Sequence, residues 1–179
     1  HEPVKARVCW ISCDTAFSEK QTADESVLAV WGMRDVPVDE KDDKFYLMDL
    51  KSGRWNFPDL LENLKALARI YNPRCLVIEQ AASGQSLIQM LKKEAKIHVH
   101  PYKPIKSKTQ RLQQVLPLFG ADRVRMCEGV WNDGLMNQLF QFPFVLHDDQ
   151  VDAVVWGLHY ASEMLDGTKE DLYAATLKA

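Results

Sequence analysis

Residues 146–158 read LHDDQVDAVVWGL, and Val151, Val154, Val155, Leu158, Ala161 and Leu165 continue an apolar stripe at helical spacing. That pattern predicts one amphipathic helix of about five turns, closed by the stop signal Asp166-Gly167. Three aspartates crowd its start. Asp149 and Asp152 lie three residues apart and so share one face. Asp148 has a structural task available as the N-cap, where negative charge also suits the helix dipole. Asp152 is harder to place on the surface, because it adjoins Ala153 on the apolar side of the stripe.

Working outward from this helix, two more acids stand where apolar runs end. Residues 7–13 (RVCWISC) form a β-rich run that stops at Asp14, and residues 75–78 (CLVI) form a fully apolar run that stops at Glu79. Each reads as a strand with a carboxylate at its end. Residues 26–33 (SVLAVWGM) and 44–50 (KFYLMDL) predict two further strands, separated by the acidic linker VDEKDD and closed by Lys51-Ser52-Gly53, so the first three strands form an antiparallel meander. Pro58 opens a helix marked by Leu60, Leu61, Leu64, Leu67, Ala68 and Tyr71 and ended by Asn72-Pro73. Ser83-Gly84 introduces a second helix with Leu87, Met90, Leu91 and Ala95 on one face, and residues 97–100 predict a fifth strand halted by Pro101. Later come a helix over residues 107–118 opened by Ser107 and disturbed near Pro117, a small strand or loop at residues 123–126, and a short helix at residues 132–140.

This order describes an α/β domain with a mixed five-stranded sheet, three antiparallel strands followed by parallel additions, and helices on both faces. It fits the RNase H-like fold, and equally half of an actin-like sugar kinase. Strand-end acids discriminate between them. In a mixed sheet the ends of adjacent strands converge, which would bring Asp14 and Glu79 together, and a helix crossing that edge would add Asp149 and Asp152. Such a cluster repels itself unless some members are protonated or a cation is present, and Mg2+ or Mn2+ would resolve the conflict. The kinase alternative lacks the glycine-rich phosphate turn after its first strand, since Asp14 is followed by Thr15-Ala16.

Composition sets the outer bounds. The 179 residues are 46% hydrophobic and 26% charged with a net charge of -3, which suits one domain with a real core. No apolar run approaches the roughly 18 residues of a membrane span. His1-Glu2-Pro3 has no signal-peptide character, and the chain is expected to be part of a longer protein. Cys9, Cys13, Cys75 and Cys127 are scattered without CxxC spacing, so free thiols and no zinc site are expected.

The segment 146–158 resembles the HDDxxDA motif that closes the nuclease domain of tailed-phage terminase large subunits. Val77-Ile78-Glu79-Gln80 resembles their second acidic motif, and Asp14-Thr15-Ala16 with Asp24 is similar to their first. Tyr102-Lys103-Pro104, Lys106, Lys108 and Arg111 resemble their basic stretch, and the likeness runs from Val8 to about Met164. What the resemblance implies is a nuclease domain over residues 1–165 with a tail over 166–179. That domain would cut concatemeric viral double-stranded DNA during genome packaging, in the cytoplasm of the infected bacterium. Two Mg2+ or Mn2+ ions would be held by Asp14, Glu79, Asp149 and Asp152, with Asp148 the weaker candidate ligand. The partners implied are an ATPase motor domain, absent here because no GxxxxGK[ST] loop occurs, together with a portal and a small terminase subunit.

Lys103, Lys106, Lys108 and Arg111 place four cations within nine residues, with Arg123 and Arg125 behind them. Phosphate contact is their expected role, giving weak, salt-sensitive and sequence-independent DNA binding by an otherwise acidic domain. Tyr102 and Trp131 read as packing residues. Two other readings share these features: a Holliday-junction resolvase with the same carboxylates, and a non-catalytic DNA- or capsid-docking module. A monomer is expected for the isolated domain.

Overall fold

Side chains alternate across a strand, and in β1 (Val8–Asp14) that alternation splits the core in two. Val8 and Trp10 join one apolar cluster, while Ile11 and Cys13 join the other. The computed structural model describes residues 5–15, 25–34, 44–80, 88–89, 91, 98–103 and 105–165. Within them β1, β2 (Ser26–Met33), β3 (Phe45–Gly53), β4 (Cys75–Glu79), β5 (His98–Tyr102) and β6 (Val124–Met126) form one mixed sheet in the order β5-β4-β1-β2-β3-β6. The first three strands are antiparallel, and β4 joins β1, β5 joins β4 and β6 joins β3 in parallel.

The sheet therefore has six strands where five were expected. β6 is only three residues long with two of them exposed, too short for its alternation to announce a strand. It is recruited by the edge of β3, where Phe45 N–H donates to the Arg123 carbonyl at 2.7 Å and Cys127 N–H to the Leu47 carbonyl at 2.9 Å. At the other edge, β5 runs through Pro101 instead of stopping before it. An edge strand tolerates proline because one row of its backbone groups has no strand to meet.

Helices cover both faces. α1 (Phe57–Tyr71) begins at Asn56, whose side chain accepts from Asp59 N–H at 2.9 Å, and ends at Asn72 in the left-handed conformation (φ 44°). Its Leu60, Leu61, Leu64 and Leu67 pack on Ile11, Cys13, Leu28, Val30, Leu76 and Ile78, joined there by Ile88 and Leu91. The expected second helix otherwise falls largely outside the described residues, with Leu87, Met90 and Ala95 among those left out. α2 (Lys108–Gly120) starts with a reciprocal cap between Ser107 and Gln110. It continues past Pro117 to Gly120. α3 (Asn132–Gln141) and α4 (Asp149–Leu165) complete the opposite face.

α4 is bolted to the sheet as well as packed on it. Trp10 Nε1 donates to the Gly157 carbonyl at 3.1 Å, Ser12 Oγ donates to the Ala153 carbonyl at 2.7 Å, and Trp31 Nε1 donates to Ser12 Oγ at 3.1 Å. Gly157 permits this approach, since a Cβ there would stand 2.1 Å from Trp31 Nε1. Two directional bonds onto α4, a third that holds Ser12 in place and one steric requirement fix the rotation of α4, and with it the direction of its acids.

Candidate active site

Asp14 follows Ser12 by two residues and so points to the same face, the one α4 covers. Cys13 is paired with Ile78 in the parallel ladder, which sets Glu79 beside Asp14 at neighbouring strand ends. Glu79 also faces α4, because Cys75 and Val77, its alternation partners, lie in the cluster beneath that helix. Strand pairing thus joins two acids 65 residues apart in sequence.

The first turn of α4 brings three more. Asp149 Oδ2 accepts from the backbone N–H of Glu25 at 3.2 Å, which ties it to the chain just before β2. Asp152, 5% exposed, is held on both oxygens: Arg111 Nη2 donates to Oδ1 at 2.9 Å and Lys108 Nζ lies 2.7 Å from Oδ2. Asp148 Oδ1 accepts from the same Lys108 Nζ at 2.7 Å. Asp148 occupies the N-cap position, since its carbonyl accepts from Asp152 N–H at 3.0 Å, but its side chain is spent on Lys108. Part of the capping falls to Gln138 of α3, whose Oε1 accepts from Gln150 N–H at 3.1 Å.

The electrostatics record this crowding. Burial first, then the charges of Asp152, Glu79 and Asp149, push the Asp14 carboxyl well above its ordinary range, against a smaller pull from Lys108. Glu79 is raised by burial, with Arg111 and Lys108 pulling it down and Asp152 pushing it up. Burial works against the charge on Lys108, yet its bonds to Asp148 and Asp152 prevail and hold the ammonium above its usual range. Among the described residues, no three His, Cys, Asp or Glu side chains stand close enough to cradle a metal ion as they are. The donor set nevertheless suits a hard divalent cation. It consists of carboxylate oxygens in mutual repulsion, two of them already drawn onto one ammonium.

The sequence carries the same signature. The family of terminase RNase H-like domains matches it over residues 11–161. The chain belongs to that family. Among solved structures, the large terminase nuclease of thermophilic phage G20c with bound zinc is 22% identical, with a TM-score of 0.61 over 83% of this chain and 78% of that one. The same G20c nuclease with bound magnesium is 19% identical, with a TM-score of 0.61 over 85% of this chain and 80% of that one. RuvC of Thermus thermophilus is 13% identical and covers 90% of this chain and 98% of its own, with a TM-score of 0.53. These likenesses establish the RNase H-like fold. Among curated proteins, none matches.

In this terminase domain the six basic candidates separate into three groups. Lys103 follows Tyr102, which is paired with Glu79, so it stands at the acid edge one strand further out, and Lys106 and Lys108 flank the start of α2, where Lys108 reaches Asp148 and Asp152. Arg111, expected on the DNA-facing surface, is instead 7% exposed and turned inward against Asp152 and over the Trp156 ring at 4.2 Å. Its helical spacing with the buried Val115 is the signal that could have placed it. Arg123 and Arg125 belong to the opposite end of the sheet: Arg125 pairs with Tyr46, Tyr46 with Gly32 and Gly32 with Cys9, five residues before Asp14. That separation is about 17 Å along the strand. Arg125 is also engaged by Asp122.

Trp131 is 9% exposed within the core, and Tyr102 packs on Trp156 with ring centroids 4.6 Å apart. Two positioning groups had no sequence signal: the Glu25 N–H and the Gln138 amide oxygen. Both act through contacts made only by the folded chain. Ala16, Asp24 and Pro104 lie outside the described residues.

Proposed function

We infer that this terminase domain is a divalent-metal-dependent endonuclease acting on double-stranded DNA, and that it cuts concatemeric viral DNA during genome packaging in the cytoplasm of an infected bacterium. The observation that carries this reading is the convergence of Asp14, Glu79, Asp149 and Asp152 on one corner of the sheet in a member of the terminase RNase H-like family. Mg2+ or Mn2+, as two ions, would supply charge neutralisation at the phosphodiester and a water acidic enough to attack it. Asp14, Glu79, Asp149 and Asp152 would hold the ions, with Asp148 the alternative contributor. Asp14 lies among the other three and is the natural shared ligand, while Glu79 on the strand beside it would orient the attacking water.

Lys103 and Lys106 would meet phosphates, and Lys108 lies within reach of the same edge. So small a basic surface on a chain of net charge -3 supports weak, salt-sensitive, sequence-independent binding. The longer protein would add the ATPase motor, with portal and small subunit as partners, and residues 1–165 would act as a monomeric cutting module. Among the described residues no helix is long and apolar enough to cross a membrane.

The test is nicking and linearisation of supercoiled plasmid by the purified domain with Mn2+, with Asp14→Asn and Glu79→Ala as controls. Activity in the wild type and its loss in both folded variants is the expected result. No cleavage with any divalent cation would overturn the reading. A four-way junction assayed beside linear duplex separates it from a resolvase, which would cut the junction in strong preference.

A further inference from the structure

Asp152 is gripped by two cations of different character. Arg111 and Asp152 have side chains only 8% and 7% exposed, and beyond its bond to Asp152 Oδ1 the guanidinium donates Nη1 to the Lys106 carbonyl at 3.2 Å and stacks 4.2 Å above Trp156. A planar fork fixed on three sides is a permanent fitting. Lys108 also sits 2.7 Å from Asp152, on Oδ2, and 2.7 Å from Asp148, but its side chain is 49% exposed. An ammonium on a flexible stem, half in water, leaves its partner at low cost and remains hydrated elsewhere.

We propose that Lys108 is a built-in stand-in for a divalent cation. In the metal-free domain it holds Asp148 and Asp152 together, it surrenders Asp152 Oδ2 when metal arrives, and Arg111 stays behind as the positioning residue that keeps Asp152 aimed. This rests on the nuclease reading above. Ionised carboxylates brought together by the fold are stabilised by positive charge beside them, and Lys108 bridges two of them. A metal ligated by Asp152 at about 2.0–2.6 Å would lie within a few ångströms of an ammonium on the same oxygen, so the two exclude one another by charge and by volume. Metal affinity is accordingly set below what the bare acids would give. The released ammonium is left beside Lys106 on the edge where a phosphate would approach.

The experiment is calorimetric titration of the purified domain with Mn2+ in the absence of DNA, for the wild type, Lys108→Met, Lys108→Gln and Lys106→Met. Displacement predicts that both Lys108 variants bind Mn2+ about five- to tenfold more tightly than the wild type, while melting at lower temperature without metal. Lys106→Met removes an equal charge nearby without vacating a carboxylate, and should change affinity less than about twofold. Two substitutions guard against one failing to fold, and circular dichroism checks each. If the Lys108 variants bind no more tightly than Lys106→Met, Lys108 keeps its place in the metal-bound domain and the proposal fails. Binding by wild type with no such gain refutes this inference alone, whereas no binding by any protein refutes the metal reading beneath it.

Discussion

The two ends of the sheet handle charge in opposite ways. At the end where β3 and β6 begin, Asp122 is 65% exposed and shared between Lys44 at 3.9 Å and Arg125, so opposite charges meet in water. At the other end, Asp14, Glu79, Asp149 and Asp152 are brought together, and among the described residues Lys108 and Arg111 are the cations that act on Asp14, Glu79 or Asp152. Exposed pairs contribute little and cost little. Buried like charges are expensive, and their concentration at one edge is what singles that edge out as a candidate site. That contrast is why the acid end is the one proposed to take a metal ion.

The largest expected effect of disturbing this contrast is on chemistry. Glu79→Ala should lower Mn2+-dependent plasmid cleavage by more than about a hundredfold, since even outer partners of metal ligands cost that much. Its metal-free melting temperature should stay at or above the wild-type value, because a repelling carboxylate has been removed. A variant that loses cleavage only because it unfolds would erase the distinction between the two ends.

Next in size is the cost of unpairing a buried carboxylate. Arg111→Met should destabilise the metal-free domain by about 3 kcal/mol in denaturant titration, because Asp152 would keep Lys108 but lose its inward partner. A near-zero change would mean that Arg111 is dispensable and that α4 and Lys108 suffice to orient Asp152.

A smaller effect is written in pH. Asp14 has a folded carboxyl raised above its unfolded value, so both states are neutral well below the ordinary aspartate range and the folded state is penalised as pH rises through the interval between the two values. Without metal, Asp14→Asn should therefore melt above the wild type at neutral pH, and the gap should close on acidification. A gap independent of pH would show that the Asp14 charge is not what strains the corner. The smallest effect belongs to the other end. Asp122→Asn keeps a side chain that tolerates the positive φ of 58° and should leave both cleavage and melting temperature unchanged.

Much of this was readable from one dimension. Apolar runs and their period announced β1 to β5, α1 and α4, and the acids at residues 14, 79, 149 and 152 stood out because each lies where such a run starts or stops. β6 was not legible as more than a strand or loop, because three residues are too few to establish a period and pair only once β3 presents an open edge. Proline at 101 looked like a stop because its missing N–H matters only where a neighbouring strand would have used it, and β5 lies at the edge.

The basic residues show the same boundary more sharply. Counting charges along the chain groups Lys103, Lys106, Lys108 and Arg111 together and appends Arg123 and Arg125. Only the tertiary structure turns Arg111 inward, lays Lys108 across two carboxylates and carries Arg123 and Arg125 to the far end of the sheet. Local sequence determines periodicity, capping and where charge sits along an element, since those depend on neighbours a few residues away. Which charges meet depends on strand register and on the rotation of α4, set by Ser12, Trp10, Trp31 and Gly157 through contacts between residues up to 147 positions apart.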